Sequence, residues 1–384
     1  MPSKLSEELS PFYVMEVLER AQEIESGGDR VIHFEVGEPD FPTPPSVTDE
    51  ALRAITEGDT KYTHSLGVSE LREAIAEDYQ DTYGLGVSAE RVVVTMGSSP
   101  ALLVSMLSLI EPGEEIIITD PHYACYPQII KVAGGVPKRV PIYEEEGFQI
   151  DTGRLKGAIT ENTKAVLINS PANPTGAVLS PGVMQEIAEL GIFVISDEIY
   201  HGLQYGAEVK TIYEFTENAF VVNGFSKYYS MTGWRLGYLI VPPEFVRPVQ
   251  KLQQNLFISA NPFVQRGGVA ALKSAKQDAR EMVTEFDLRR KKMIEGVRGL
   301  GFELAHEPEG AFYVFVNAAE LNPDSRELAF DILEKAHVAV TPGIDFGPGG
   351  EGYLRLSYAV SLEDIEEGIN RLAKYITKIK GGRE

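Results

Sequence analysis

Residues 219–241 read AFVVNGFSKYYSMTGWRLGYLIV, in which a lysine, a tryptophan, an arginine and two glycines stand between two runs patterned like buried β-strands. The flanks, 219–222 and 236–241, are short, apolar and β-branched, as expected of strands covered on both faces in a largely parallel sheet. The stretch between them is too polar for a core and too aromatic for a linker, and it carries Lys227 directly after Ser226. A core has no need of that lysine, so the segment is expected to bring chemistry to a sheet edge.

Working outward, the runs RVVVTM (91–96), EIIIT (115–119), KAVLIN (164–169) and IFVISD (192–197) repeat the strand pattern with helical patterns between them. SPALLVSMLSLI (99–110), with Pro100 in its first turn, is apolar almost all round and reads as a buried helix. Another helix is expected after Ser180-Pro181, and Ser69 is expected to cap one that carries Leu71, Ala74, Ile75 and Tyr79 on one face. Near the N-terminus, Ser10-Pro11 should start a helix with Val14, Val17, Ala21 and Ile24 on one face, stopped by Gly27-Gly28. A strand VIHFEVG (31–37) follows, and then GEPDFPTPP (37–45), whose four prolines argue against regular structure.

This βα repetition predicts an α/β fold: a large domain with a mostly parallel sheet covered by helices, binding ligands at the carboxyl ends of its strands. From about residue 263 the texture changes to a long charged helical stretch, then the strands AFYVFV (311–316), VAV (338–340) and YLRLSYA (353–359), then a helix to about 379. The expected division is an N-terminal segment (1–45) packing with a smaller α+β domain (286–384), and a large domain (46–285) between them. The charged run 286–298 is expected to be a solvated helix face.

Thirty-five basic residues against 57 acidic ones give the 384-residue chain a formal charge of −22, which argues against nonspecific binding to nucleic acid or an anionic membrane. An anionic ligand would have to be held by a local cluster of cations. No apolar run reaches the roughly 18 residues of a membrane helix, the first residues lack a signal pattern, and the single cysteine, Cys125, suits a reducing compartment. A cytoplasmic protein is expected. The six histidines lack metal-ligand spacing, so no metal is expected, and GPGGEG (347–352) is read as a loop because it does not join a first strand to a helix.

Polar clusters follow four of the predicted strands: GSSP after RVVVTM, SPANPTG after KAVLIN, DEIY at the end of IFVIS, and FSK after AFVVNG. Each alone would pass for a cap, a turn or a solvated loop, but four at one sheet edge describe a site. Gly97, Ser98 and Ser99 ahead of a helix suit a phosphate, with Ser226 and Arg235 able to add a hydroxyl and a charge. Lys227 supplies an amine able to form a Schiff base, and Asp197 a carboxylate for a cationic ring nitrogen. A phosphate, an aldehyde and a pyridinium together describe pyridoxal 5′-phosphate.

With NPTG (173–176), SDEIY (196–200) and SKYYSMTGWRLGY (226–238) in this order, the chain resembles the fold-type-I pyridoxal-phosphate enzymes, specifically class I/II aminotransferases similar to aspartate and alanine aminotransferases. The resemblance extends from GEPDF (37–41) to LRLSYA (354–359). It implies that Lys227 binds the cofactor covalently, Asp197 pairs with its ring nitrogen, and Tyr200 and Asn173 bond its phenolic oxygen. Ser98, Ser99, Ser226 and Arg235 match phosphate-binding positions, and Tyr123 matches a ring that stacks on the cofactor. Tyr62, in KYT, matches a residue that reaches the partner subunit's cofactor, which implies a homodimer with shared active sites. Arg355 matches the arginine that grips the substrate α-carboxylate, and Gly37 a residue beside that carboxylate.

The implied reaction is a two-stage exchange through Lys227 between an amino acid and a 2-oxo acid, with aspartate- or alanine-type donors. Aspartate-selective relatives place a cation on the side-chain carboxylate either from the partner subunit or from a lysine where Ser99 stands here, which leaves small neutral donors in view beside an acidic donor read by a partner arginine. The alternatives on the same scaffold are a carbon–sulfur β-lyase or aminocyclopropanecarboxylate-synthase-like enzyme, and, more remotely, a noncatalytic regulator.

Overall fold

The two apolar runs around Lys227 become neighbouring strands of one seven-stranded sheet. The computed structural model describes residues 2–381. In chain order its strands are β1 (Ile32–His33), β2 (Val92–Thr95), β3 (Glu115–Asp120), β4 (Val136–Pro141), β5 (Thr163–Asn169), β6 (Phe193–Asp197), β7 (Ala219–Gly224), β8 (Gly237–Ile240), β9 (Tyr313–Asn317), β10 (Val338–Ala339), β11 (Thr341–Pro342) and β12 (Tyr353–Ser357). The large sheet has the order β2-β8-β7-β6-β5-β3-β4. Every pairing in it is parallel except those of β8, which runs antiparallel to both β2 and β7.

That one reversal positions the site. The link from β7 to β8 carries a single 3₁₀ turn, Thr232–Trp234, and no crossover helix of the kind a parallel return requires, so the chain doubles back. The carboxyl end of β7, which leads to Lys227, and the amino end of β8, which follows Arg235, therefore lie at the same sheet edge, with Gly224 opposite Gly237. Gly237 also faces Thr95 at the end of β2. On β7, Val221 packs on one face of the sheet and Phe220 and Val222 on the other, so apolar layers cover both sides. The helix Ser98–Leu109 supplies Ala101, Leu102, Val104, Met106 and Leu109 to one layer, as its uniformly apolar sequence predicts.

C-terminal to the large sheet, β9, β11 and β12 form an antiparallel sheet of order β11-β12-β9, while β1 pairs in parallel with β10. The N-terminal strand run is shorter than its sequence suggests, because its partner β10 has only two residues. Pro45 does not extend the irregular stretch but opens the helix Pro45–Thr56, where a residue without an N–H fits the first turn. Ser69 is the first helical residue rather than the cap, which is Val68. The first long helix begins at Tyr13, and its cap comes from a distance: the Asp345 carboxylate accepts the backbone N–H groups of Tyr13 (3.0 Å) and Val14 (3.3 Å).

The charged run 286–298 is not wholly solvated. Arg289 is buried against the Phe41 ring, 4.7 Å from its centroid, and donates to Asp40 at 2.6 Å. Among the described residues, no helix is long and apolar enough to cross a membrane.

Candidate active site

Three strand ends and one turn build the site. Asp197 closes β6 and is buried among apolar strands, with Asn169 of β5 beside it in register. Its Oδ2 accepts from Tyr126 Oη at 2.7 Å and its Oδ1 from the Ile199 N–H at 3.2 Å. Burial pushes the carboxyl up to about 6, and the two donors and the Lys227 charge oppose that rise. Asn169 ties the neighbouring loop to this strand end: its Nδ2 donates to the Asp197 carbonyl, and its Oδ1 accepts the Asn173 N–H, both at 2.9 Å.

Lys227 leaves the end of β7 and donates from Nζ to the Gly37 carbonyl at 2.6 Å. Burial lowers its amine to about 8; Arg355 and Arg235 lower it too, while Glu38 and Asp197 act in the other direction. Gly37 is tightly constrained, since a Cβ there would lie 2.3 Å from the Tyr313 hydroxyl.

Arg235 has a left-handed backbone, φ 55°, which costs a non-glycine residue about 1–2 kcal/mol and is characteristic of functional sites. Its Nη1 donates to the Thr232 carbonyl at 2.9 Å, and its guanidinium lies against Gly97, where a Cβ would be 2.6 Å from Nη2. Gly97, at φ 100°, is the cap residue of the helix Ser98–Leu109, so Ser98 and Ser99 fall in the first turn rather than at the cap. A basic side chain, two hydroxyls and the free N–H groups of a helix start make an anion cradle.

Arg355 is buried on β12. Its Nη1 donates to Asn173 Oδ1 at 2.9 Å, and its Nη2 donates to the Glu35 carbonyl and to Thr341 Oγ1. Nε is buried and unpartnered. The guanidinium lies 4.3 Å over the Tyr313 ring and 5.0 Å over that of Phe346.

Gly37, Ser98, Ser99, Tyr123, Asn173, Asp197, Tyr200, Ser226, Lys227, Arg235 and Arg355 all line one cavity of about 260 Å³. Tyr62 does not. It is 82% exposed and stands outside the cavity of its own chain. Tyr126, Tyr313 and the apolar wall of Phe12, Val14, Met15 and Leu18 also line the cavity, and sequence reasoning missed them. Tyr126 lies three positions after Tyr123 in DPHYACY, a repetition that could have flagged it. Tyr313, inside AFYVFV, and the helix residues carry no signal distinct from core.

Comparison with known proteins agrees with this geometry. The family model for aminotransferase class I and II matches residues 29–372. A (5-formylfuran-3-yl)methyl phosphate transaminase of Methanocaldococcus jannaschii is 41% identical, over 98% of this chain and 100% of the relative. An aspartate aminotransferase of Pyrococcus horikoshii is 38% identical over 94% of this chain and 93% of the relative. Among solved structures, the aspartate aminotransferase of Thermus thermophilus with maleate superimposes with a TM-score of 0.93 at 35% identity, covering 97% of this chain and 99% of the other.

Proposed function

The chain belongs to the class I and II aminotransferases, pyridoxal-5′-phosphate enzymes that move an amino group between an amino acid and a 2-oxo acid, and we propose that it does so in this cavity with small L-amino acid donors of the aspartate or alanine type. The observation that carries the proposal is the convergence on one cavity of an amine, a buried carboxylate and two arginines in different surroundings.

The donor set fits the cofactor. Arg235, Ser98, Ser99 and Ser226 would hold its phosphate, and the space left by Gly97 supports Arg235 in that role. Asp197 would pair with the ring nitrogen, Tyr200 and Asn173 with the phenolic oxygen, Tyr123 with the ring face, and Lys227 with the carbonyl carbon. When bound, the cofactor accepts the electron pair left as the Cα–H bond of the amino acid breaks.

The chain's own residues do the rest. Arg355 binds the α-carboxylate and orients the amino acid, with its buried Nε still able to donate. Gly37 lines the cavity beside it. Lys227 would take the proton from Cα and deliver it to the cofactor's carbonyl carbon, and an amine near 8 is well matched to that task. Asp197, above about pH 6, contributes a negative charge at the far end of β6.

Two observations bear on the donor. The named aspartate aminotransferases among the relatives favour an acidic side chain. Ser99 and the apolar wall of Phe12, Val14, Met15 and Leu18 favour a neutral one such as alanine. These relatives transaminate, which does not favour the lyase or regulator readings.

We further propose a homodimer in which Tyr62 of the partner subunit completes each site. An open groove beside Trp234 and Arg235, lined by Ala51, Leu52, Ile55 and Phe263, supports this, as do the exposed side chains of Leu52, Ile55 and Tyr62. The proposed domain division is 1–45 with 286–384, and 46–285, supported by the confinement of the large sheet to residues 92–240 and by the β1–β10 pairing. The lone Cys125 supports a cytoplasmic location.

The test is a half-reaction. Cofactor-loaded protein is mixed with one amino acid at a time, without an oxo acid, and the cofactor absorbance is followed. Conversion of the cofactor to its amino form by aspartate or alanine, with the matching 2-oxo acid released, is the expected result. Release of pyruvate together with ammonia would overturn the reading in favour of a lyase.

A further inference from the structure

We propose that Tyr313 is a positioning residue of the reaction: its hydroxyl donates to Tyr200, filling an acceptor site on that phenol and leaving the Tyr200 proton to be directed into the cavity. The inference rests on the functional reading above and adds a residue that the reading does not use.

The two hydroxyls are 2.8 Å apart, both side chains are buried, and both line the cavity. One phenol must donate and the other accept, because each carries a single proton. The Arg355 guanidinium carbon lies 4.3 Å over the Tyr313 ring, whereas the cation over the Tyr200 ring is Lys227 Nζ at 6.0 Å. A cation over the π face withdraws charge from the ring and makes the phenol beneath it the better donor. The acidities agree. Burial raises both phenols and Arg355 lowers both, but the bond to Tyr200 pulls Tyr313 back, while its Tyr313 partner pushes Tyr200 further up.

The chain has also kept room for this hydroxyl. A Cβ on Gly37 would sit 2.3 Å from Tyr313 Oη, so the residue whose carbonyl holds Lys227 is also the one that must lack a side chain for Tyr313 to reach Tyr200. The titratable and charged groups that face Tyr200 are Tyr313, Arg355, Tyr123, Tyr126 and Lys227. In a chain of hydrogen bonds each donation strengthens the next, so the Tyr313 hydroxyl makes Tyr200 a stronger donor to whatever oxygen occupies the cavity. A donor to the cofactor's phenolic oxygen draws off negative charge that would otherwise hold a proton on the adjacent lysine-linked nitrogen. Removing the Tyr313 hydroxyl should therefore make that nitrogen more basic.

The experiment is a spectroscopic pH titration of cofactor-loaded parent, Tyr313→Phe, Tyr200→Phe and the double variant, with circular dichroism as the check on folding. Tyr313→Phe keeps the ring under Arg355 and removes only the hydroxyl. The midpoint of its absorbance change should rise by roughly 0.4–1 pH unit. The double variant should titrate with Tyr200→Phe alone, since Tyr313 acts through Tyr200. An unchanged or lowered midpoint in Tyr313→Phe, or a further shift in the double variant, would overturn the proposal while leaving the aminotransferase reading standing. A parent protein with no cofactor absorbance would overturn both.

Discussion

Arg355 and Asn173 are 182 positions apart in the chain and share a hydrogen bond of 2.9 Å, Nη1 to Oδ1. That bond ties β12 of the C-terminal sheet to the loop after β5 of the large sheet, so the proposed carboxylate anchor and the proposed cofactor contact form one unit. Asn173 is itself held through Asn169 to the backbone of Asp197. Three elements that differ in sequence pattern thereby have a common geometry.

The first prediction concerns that anchor. Arg355→Lys keeps a positive charge but loses the planar fork, and it strands Asn173 Oδ1 without its donor, while the Glu35 carbonyl keeps only the Thr341 hydroxyl. We expect kcat/KM for amino acids to fall by about 30- to 1,000-fold, equivalent to about 2–4 kcal/mol. Comparison with the corresponding amine lacking a carboxylate provides the control. Equal losses for both substrates would show that Arg355 does not read the carboxylate.

A second prediction follows from Tyr126, whose hydroxyl donates to Asp197 at 2.7 Å and opposes the rise that burial imposes on that carboxyl. Tyr126→Phe keeps the ring but removes the donor, so the Asp197 carboxyl should move further above about 6. Activity that needs Asp197 ionised should then lose its acid limb at a higher pH than in the parent. A hydrogen bond to a charged group is worth about 1.5–3 kcal/mol, which sets the displacement at roughly 1–2 pH units. The pH profile of kcat/KM checks this, and coincident acid limbs would contradict it.

The parts of the site legible in sequence were those where a polar residue interrupts an apolar run. Lys227 after β7, Asp197 at the end of β6 and Asn173 after β5 stand out because nothing in a core calls for them. The reversal of β8 was not legible, since a short apolar run has the same pattern in either direction, yet it is what brings Arg235 to the edge shared with Lys227. Tyr313 and Tyr126 were hidden for the opposite reason: a tyrosine among apolar residues looks like core until its hydroxyl partner is known. The cap that Asp345 gives to Tyr13 and Val14 spans more than 330 positions, beyond the reach of any local pattern.

The third prediction concerns pH and stability. His33 on β1 bonds Glu35 through Nδ1 at 2.7 Å and Glu25 through Nε2 at 3.3 Å, and chiefly the bond to buried Glu35 raises the imidazole from 6.5 to about 9. A raised value means that the folded state holds the proton more tightly than the unfolded chain. Its contribution is therefore complete below pH 6.5 and disappears as the pH climbs through about 9. At about 1.4 kcal/mol per pH unit the rise amounts to about 3–4 kcal/mol, which solvent screening of the partly exposed ring reduces to roughly 2–3 kcal/mol. His33→Gln should be destabilised by that order at pH 6 and should converge on the parent above pH 9 in urea unfolding; a difference independent of pH would exclude the linkage.

The last prediction tests whether the site is shared between subunits. Tyr62 is 82% exposed and outside its own chain's cavity, so its proposed contact with phosphate requires a second copy. Tyr62→Ala should weaken cofactor retention by about tenfold or more, as expected for a lost hydrogen bond to a charged group. Lys227→Ala should abolish turnover with the fold intact, because among the described residues no other lysine lines the cavity. Refolding the two variants together in equal amounts produces hybrid dimers in which one site carries both substitutions and the other neither. With random pairing, about a quarter of all sites are then intact, so at a cofactor concentration too low to load the Tyr62→Ala site, turnover should recover towards about a quarter of the parent value. If Tyr62 served the site of its own chain, every site in the mixture would carry one defect and nothing would be recovered.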